Sequence, residues 1–187
     1  MRSFRKVSVS LLALGGLLFG AFITAGQAAE PQYVGNKKCV GCHRDQNKAW
    51  LEDYHAKALD SLKPGVKAEA KTKGKLDPNK DYSADAGCLE CHATGYGKAA
   101  DPKADLSNVG CESCHGPGSE YKNVKIMNKK KFQENRETQR QMAVQAGLVE
   151  PTEALCVACH NDKSPTWKEF DYKRMFEEVK HKKEPAK

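Results

Sequence analysis

The sequence predicts a mainly α-helical fold with long irregular loops, around an interior to which the polypeptide itself contributes little. Several segments carry apolar residues at the three- and four-residue spacing of a helix, and glycine, proline and lysine are common between them. Of the 158 residues from Glu30 onward, only 32 are Val, Ile, Leu, Met, Phe, Tyr or Trp. That fraction approaches the composition of disordered chains, so these side chains alone cannot form a sufficient core.

A five-residue pattern, Cys-x-x-Cys-His, occurs four times, at residues 39–43, 88–92, 111–115 and 156–160. Two thiols on one turn can form thioether bonds to a single porphyrin, and the histidine that follows can ligate its iron. The sequence therefore predicts four covalently attached haem c groups, whose porphyrins supply the missing apolar surface. The predicted attachment residues are Cys39, Cys42, Cys88, Cys91, Cys111, Cys114, Cys156 and Cys159, and the predicted proximal iron ligands are His43, His92, His115 and His160.

Zinc knuckles, iron–sulfur sites and redox disulfides also use the Cys-x-x-Cys spacing. None of them requires a histidine directly after the second cysteine, and here that histidine is present in every copy. The four copies account for all eight cysteines and for four of the six histidines. Haem attachment is therefore favoured over the other three kinds of site.

The N-terminus is typical of a secretory signal peptide, predicted over residues 1–28 with cleavage after Ala28 or Ala29. Three basic residues precede an apolar run, and small residues follow it. An uncleaved membrane anchor is the alternative, but glycines dilute the run and no basic stop-transfer cluster follows. We expect residues 29–187 to form a single tetrahaem cytochrome c domain in the periplasm or another exported location, without a membrane span after cleavage.

The positive charge of the chain does not indicate a nucleic-acid partner. The formal charge of +7 includes three basic residues of the signal, which leaves 28 Lys and Arg against 24 acids, or +4. Haem propionates would offset much of that remainder. Aromatic and basic residues are not interleaved as in single-strand binders, so redox proteins are the expected partners.

Residues 44–62 are predicted to form one helix, because apolar residues recur along one stripe. His55 lies on this segment, twelve residues after His43. One straight helix cannot place two ligands on opposite faces of one ring, so His55 is expected to serve a haem other than that of His43. An exposed surface histidine is the alternative.

The remaining segments alternate between loops and short helices. Residues 63–85 are predicted to be a polar loop with one short helix near 66–71, serving as a partner-docking surface or as solvated filler. A long polar helix is predicted over 129–146, ending at Gly147, and a last helix begins after the N-cap Asp171. The second and third motifs are separated by so little chain that their haems are expected to be near neighbours.

The sequence resembles the cytochrome c-554 and c-prime family, tetrahaem cytochromes that carry electrons from hydroxylamine oxidoreductase in ammonia-oxidising bacteria. The resemblance covers nearly the whole mature chain and implies a mostly helical multihaem fold with stacked haem pairs, which acts as a periplasmic electron carrier. It also implies that His55 and His181 are distal iron ligands. The residues that carry it are 33–35, Trp50, 55–59, 88–96, 110–119, 164–166 and His181.

One position departs from that family. Its members commonly carry another distal histidine shortly after the third motif, where this chain has Tyr121. Four irons with proximal histidines need four sixth ligands, yet only His55 and His181 remain. At least two haems must therefore use a methionine, a partner's residue, a weak ligand or none. Met127 is the nearest methionine to Tyr121 and a possible ligand, with ordinary packing as the alternative.

Two functions of different class are consistent with the sequence. The first is electron transfer between a donor and an acceptor protein. The second is reduction of a small nitrogen oxide at a haem with an open position, with membership of a larger multihaem assembly as a further alternative. No set of proton donors is evident around such a position, so the carrier is favoured and no catalytic residue is assigned.

Overall fold

The computed structural model describes residues 30–181. The predicted signal peptide, residues 1–28, and its cleavage site lie outside these residues. Regular structure within the described range is helical, and pairing between extended segments is limited to isolated bridges such as that of Tyr33 with Ala99. The helices are α1 Arg44–Glu52, α2 Ala68–Lys73, α3 Ala86–His92, α4 Cys111–His115, α5 Lys129–Glu134, α6 Arg136–Gln145, α7 Glu153–Val157 and α8 Tyr172–Val179, with 3-10 helices at Asn36–Lys38 and Tyr54–Leu62.

The prediction of one helix over residues 44–62 was wrong. Helix α1 ends at Glu52, and Asp53 adopts an extended conformation (φ −83°, ψ 156°). The carboxylate of Asp53 then accepts the backbone N–H of His55 at 2.8 Å and caps the 3-10 helix that follows. His43 precedes α1 as its N-cap residue, so His43 and His55 do not share one helix axis.

The long helix predicted over residues 129–146 is also divided. Asn135 separates α5 from α6, and its side-chain oxygen accepts the N–H of Thr138 at 3.1 Å. An asparagine that offers this bond favours a new helix start over continuation of the previous helix. The predicted end is confirmed, because Gly147 has a φ of 98° and the N–H of Leu148 bonds to the carbonyl of Ala143 at 2.9 Å.

Other local predictions agree with the structure. Helix α2 occupies the loop 63–85, two residues later than expected. The carboxylate of Asp171 accepts the N–H of Arg174 at 3.1 Å and caps α8. Helix α4 stops at Gly116, whose φ of 75° would be strained in other residues.

The core formed by the polypeptide is small. Within residues 30–181 the buried apolar side chains are Leu62, Tyr82, Tyr121 and Ala143. An equal number of polar or charged side chains are buried, namely Lys71, Thr94, Glu112 and Gln139. In the same range, no helix has the length and apolar character needed to cross a membrane. Hydrogen bonds between loops, rather than a continuous apolar core, therefore position much of the chain.

Candidate haem sites

Each of the last three motifs begins on a short helical turn that a polar side chain caps. The carboxylate of Asp85 accepts the N–H of Cys88 at 3.3 Å at the start of α3. The side-chain oxygen of Asn36, which precedes the first motif, accepts the N–H of Cys111 at 2.9 Å at the start of α4. Thr152 caps α7 in the same way. These caps fix the turn on which the two thiols of a motif face one porphyrin.

The motifs meet in pairs. The thiol of Cys39 in the first motif adjoins that of Cys111 in the third, and this contact raises the pKa of Cys39. The thiol of Cys159 in the fourth motif likewise adjoins that of Cys91 in the second. Burial, followed by the influence of Cys91, raises the pKa of Cys159 to about 12. The first motif therefore adjoins the third, and the second adjoins the fourth.

A buried threonine joins the second motif to the third. Thr94 is 2% exposed, and its hydroxyl donates to the carbonyl of Asn108 at 2.8 Å. The same oxygen accepts the N–H of Gly110 at 2.8 Å and the hydroxyl of Ser113 at 3.1 Å. The second and third motifs, close in sequence, are thus also connected directly in space.

A buried glutamate joins the third motif to the chain before the first. Glu112 is 1% exposed, and its two carboxylate oxygens accept backbone N–H groups only. The donors are Val34 at 3.0 and 3.1 Å, Gly35 at 2.7 Å and Gly118 at 2.7 Å. Segment 32–35 is consequently held against the third motif and the turn that follows it.

Two pairs of histidine rings have the spacing of two imidazoles on one metal ion. With a metal–nitrogen bond of about 2.0 Å and a ring nitrogen about 1.1 Å from its centroid, two such rings have centroids about 6 Å apart. The centroids of His55 and His160 are 6.1 Å apart, at an interplanar angle of 77°. Those of His115 and His181 are 6.3 Å apart, at 23°. The residues present therefore fit haem iron between each pair.

Hydrogen bonds at the δ nitrogen orient two of the histidine rings. Nδ1 of His55 lies 2.9 Å from the carboxylate of Asp53. Nδ1 of His92 lies 2.8 Å from the carbonyl of Ala58 and 3.3 Å from the hydroxyl of Ser61. Such contacts fix the tautomer of an iron ligand and leave its Nε2 free to bind metal.

The environment of two proximal histidines favours the neutral imidazole that a metal requires. Burial lowers the pKa of His115, and the neighbouring His181 lowers it further. Burial also lowers the pKa of His160, with His55 as the second cause. His181 and His55, the candidate distal ligands, are thus close enough to lower the pKa of His115 and His160, respectively.

The remaining candidates do not belong to these ring pairs. His43 is exposed, and neither ring pair includes it or His92. Met127 is half-buried, and its N–H bonds to the carbonyl of Asn123 at 2.8 Å. Tyr121 is buried and donates its hydroxyl to the carbonyl of Gly116 at 2.9 Å, and burial raises its pKa. Ligation by Met127 remains a prediction.

Sequence reasoning missed four polar residues that build these sites. Asp53 carries a local signal, because it is a capping residue type immediately before a helical turn. Asn36 does not, because it lies inside the 3-10 helix Asn36–Lys38 and accepts the N–H of Cys111 from a distant part of the chain. Glu112 and Thr94 carry no such signal. Their role depends on partners that come from distant parts of the chain.

Known proteins match this chain over most of its length. A family model described as cytochrome c554 and c-prime matches residues 38–116. Cytochrome c-554 of Nitrosomonas europaea is 42% identical over 172 residues, which cover 87% of this chain and 72% of that protein. The solved structure of reduced cytochrome c554 from Nitrosomonas europaea superposes with a TM-score of 0.61 at 37% identity, over 82% of this chain and 80% of that one.

These matches confirm the predicted fold class, the four covalently attached haem c groups and the electron-transfer function. Identity of 42% that extends over most of both chains is the mark of a shared family. The chain belongs to the cytochrome c554 and c-prime family.

Proposed function

We propose that this tetrahaem cytochrome is an exported electron carrier that exchanges single electrons between two redox partner proteins. Contact between motifs is the observation that carries the proposal. The first motif touches the third, the second touches the fourth, and Thr94 joins the second to the third. Bound haem supplies a one-electron couple, and the chain holds its four attachment sites within one connected group.

Each motif is proposed to attach one haem through its two cysteines, with its histidine as the proximal ligand. The ring spacings support His55 as the sixth ligand opposite His160, and His181 as the sixth ligand opposite His115. The chain has six histidines, all within the described residues. The sites of His43 and His92 are therefore left without a second histidine.

Those two sites also support a second candidate function, reduction of a small nitrogen oxide. An iron without a strong sixth ligand can bind such a molecule, as nitric oxide does at many haems. Turnover also requires a positioned proton donor. The hydroxyl of Ser61 near His92 already donates to the carbonyl of Ala58 at 2.6 Å. We therefore favour the carrier.

Purified protein from the native compartment tests the proposal in two steps. Intact-mass spectrometry should show four haems on a chain that begins near Ala29 or Glu30. Titration with a reduced dye should then deliver four electrons per chain, and an oxidised acceptor should recover all four. Nitric oxide, nitrite and hydroxylamine should undergo little turnover under the same conditions.

Two outcomes would contradict the carrier proposal. Fewer than four haems, or zinc in their place, would remove its chemical basis. Sustained consumption of nitric oxide or nitrite with reduced dye, by protein that carries all four haems, would favour the second function.

A further inference from the structure

Glu112 is an ionised acid enclosed in the protein without a charged partner among its hydrogen bonds. Both of its oxygens accept N–H donors, at 2.7 to 3.1 Å, and the donors are all backbone groups. A protonated carboxyl would have to donate its O–H to an acceptor, and these contacts provide none. The carboxylate therefore keeps its negative charge in a site that is 1% exposed.

This charge lies between the first and third haem sites. Glu112 belongs to the third motif, and two of its donors, Val34 and Gly35, lead directly into the first. Glu112 directly follows Cys111, and its N–H donor Gly35 lies four residues before Cys39. The charge is therefore close in the chain to an attachment cysteine of each motif.

We propose that Glu112 is a positioning residue that also lowers the reduction potentials of the haems attached at the first and third motifs. Ferric iron carries one more positive charge than ferrous iron, so a nearby fixed negative charge favours the oxidised state. Burial makes the interaction strong, because little water screens it. An electron is then less stable on these two haems than it would be without the charge of Glu112. The inference rests on the proposed assignment of one haem to each motif.

The test is the holoprotein carrying Glu112→Gln, which keeps the shape of the side chain and removes its charge. Midpoint potentials are measured by redox titration, with paramagnetic resonance to follow the low-spin iron expected at His115. The haems of the first and third motifs should shift to higher potential, while those of the second and fourth stay unchanged. Glu120→Gln is the matched control, because Glu120 is an exposed acid of the same segment.

A Glu112→Gln protein with four haems and native potentials at every site would overturn the proposal. A count below four electrons per chain in the native protein would instead count against the carrier function, so the two failures are distinguishable. If the Gln variant takes up fewer haems, the haem that remains at the first or third motif carries the test. Its potential should lie above the native value, and a native potential there would overturn the proposal.

Discussion

The rings of His115 and His181 lie nearly parallel, at 23°, whereas those of His55 and His160 are nearly perpendicular, at 77°. The angle between two axial imidazoles determines how unequal two of the iron d orbitals become. Parallel planes split these orbitals, and perpendicular planes leave them nearly equivalent. The two proposed bis-histidine sites should therefore be spectroscopically distinct.

Paramagnetic resonance of the oxidised protein should show two different low-spin signals. The perpendicular pair should give the more anisotropic signal, with the larger maximum g value. His55→Met should abolish that signal alone, and His181→Met should abolish the other. Each change should raise the potential of one haem by on the order of 0.1 V, because a thioether favours the reduced state. Unchanged spectra in both variants would show that neither histidine is a ligand.

Met127, six residues after Tyr121, is a possible sixth ligand in the haem environment of that tyrosine, with ordinary packing as the alternative. If Met127 ligates iron there, the following results are expected. The oxidised protein should show a weak sulfur-to-iron absorption band at the red end of the spectrum. Met127→Ala should abolish the band, and Met142→Ala, a change at a 40% exposed position on α6, should leave it intact. A high-spin signal with cyanide binding in the unaltered protein would instead indicate an open site.

Haem-free protein is expected to lack a cooperative unfolding transition. Only four apolar side chains are buried within residues 30–181, so the polypeptide should not reach the roughly 5 kcal/mol typical of the least stable domains. Calorimetry of protein made without the haem-attachment machinery would measure this, with holoprotein as the control. A sharp melt of the haem-free chain would show a more extensive polypeptide core than we infer.

Gly116→Ala should destabilise the holoprotein by about 2–5 kcal/mol, because it combines backbone strain with overpacking. Gly116 has a φ of 75°, and a Cβ there would lie 2.7 Å from the carbonyl of Gly147. Gly41→Ala is the matched control, since nothing lies within 4 Å of its added Cβ and the fourth motif has Ala158 at that place. Denaturant unfolding should show a change within about 0.5 kcal/mol for the control. Equal losses in both variants would contradict the steric argument.

The attachment chemistry could be predicted from sequence because it depends on residues that are adjacent in the chain. A thioether pair and its histidine need a fixed spacing, and every motif has that spacing. The caps at Asp171 and Gly147 were predictable for the same reason. Local preferences decide them, and nothing distant opposes these preferences.

The helix break at Asp53 was missed because the apolar stripe continues across it, and the break at Asn135 was missed because residues 129–146 contain no glycine or proline. A capping side chain ended each helix although the pattern on either side favoured continuation. The partners of His55 and His181 could not be assigned from spacing, since tertiary packing brings each to a distant motif. Glu112 occupies one of the two positions of its motif that any residue can fill, so the spacing of the motif could not predict its role.

The hydrogen bonds of Glu112 to residues much earlier in the chain affect the order in which the protein can fold. A chain is synthesised from its N-terminus, so Val34 and Gly35 emerge long before the carboxylate that holds them. Until residue 112 has followed, the N–H groups of Val34 and Gly35 lack the acceptor that they have in the folded protein. The segment ahead of the first motif therefore cannot take its final position until the third motif is present.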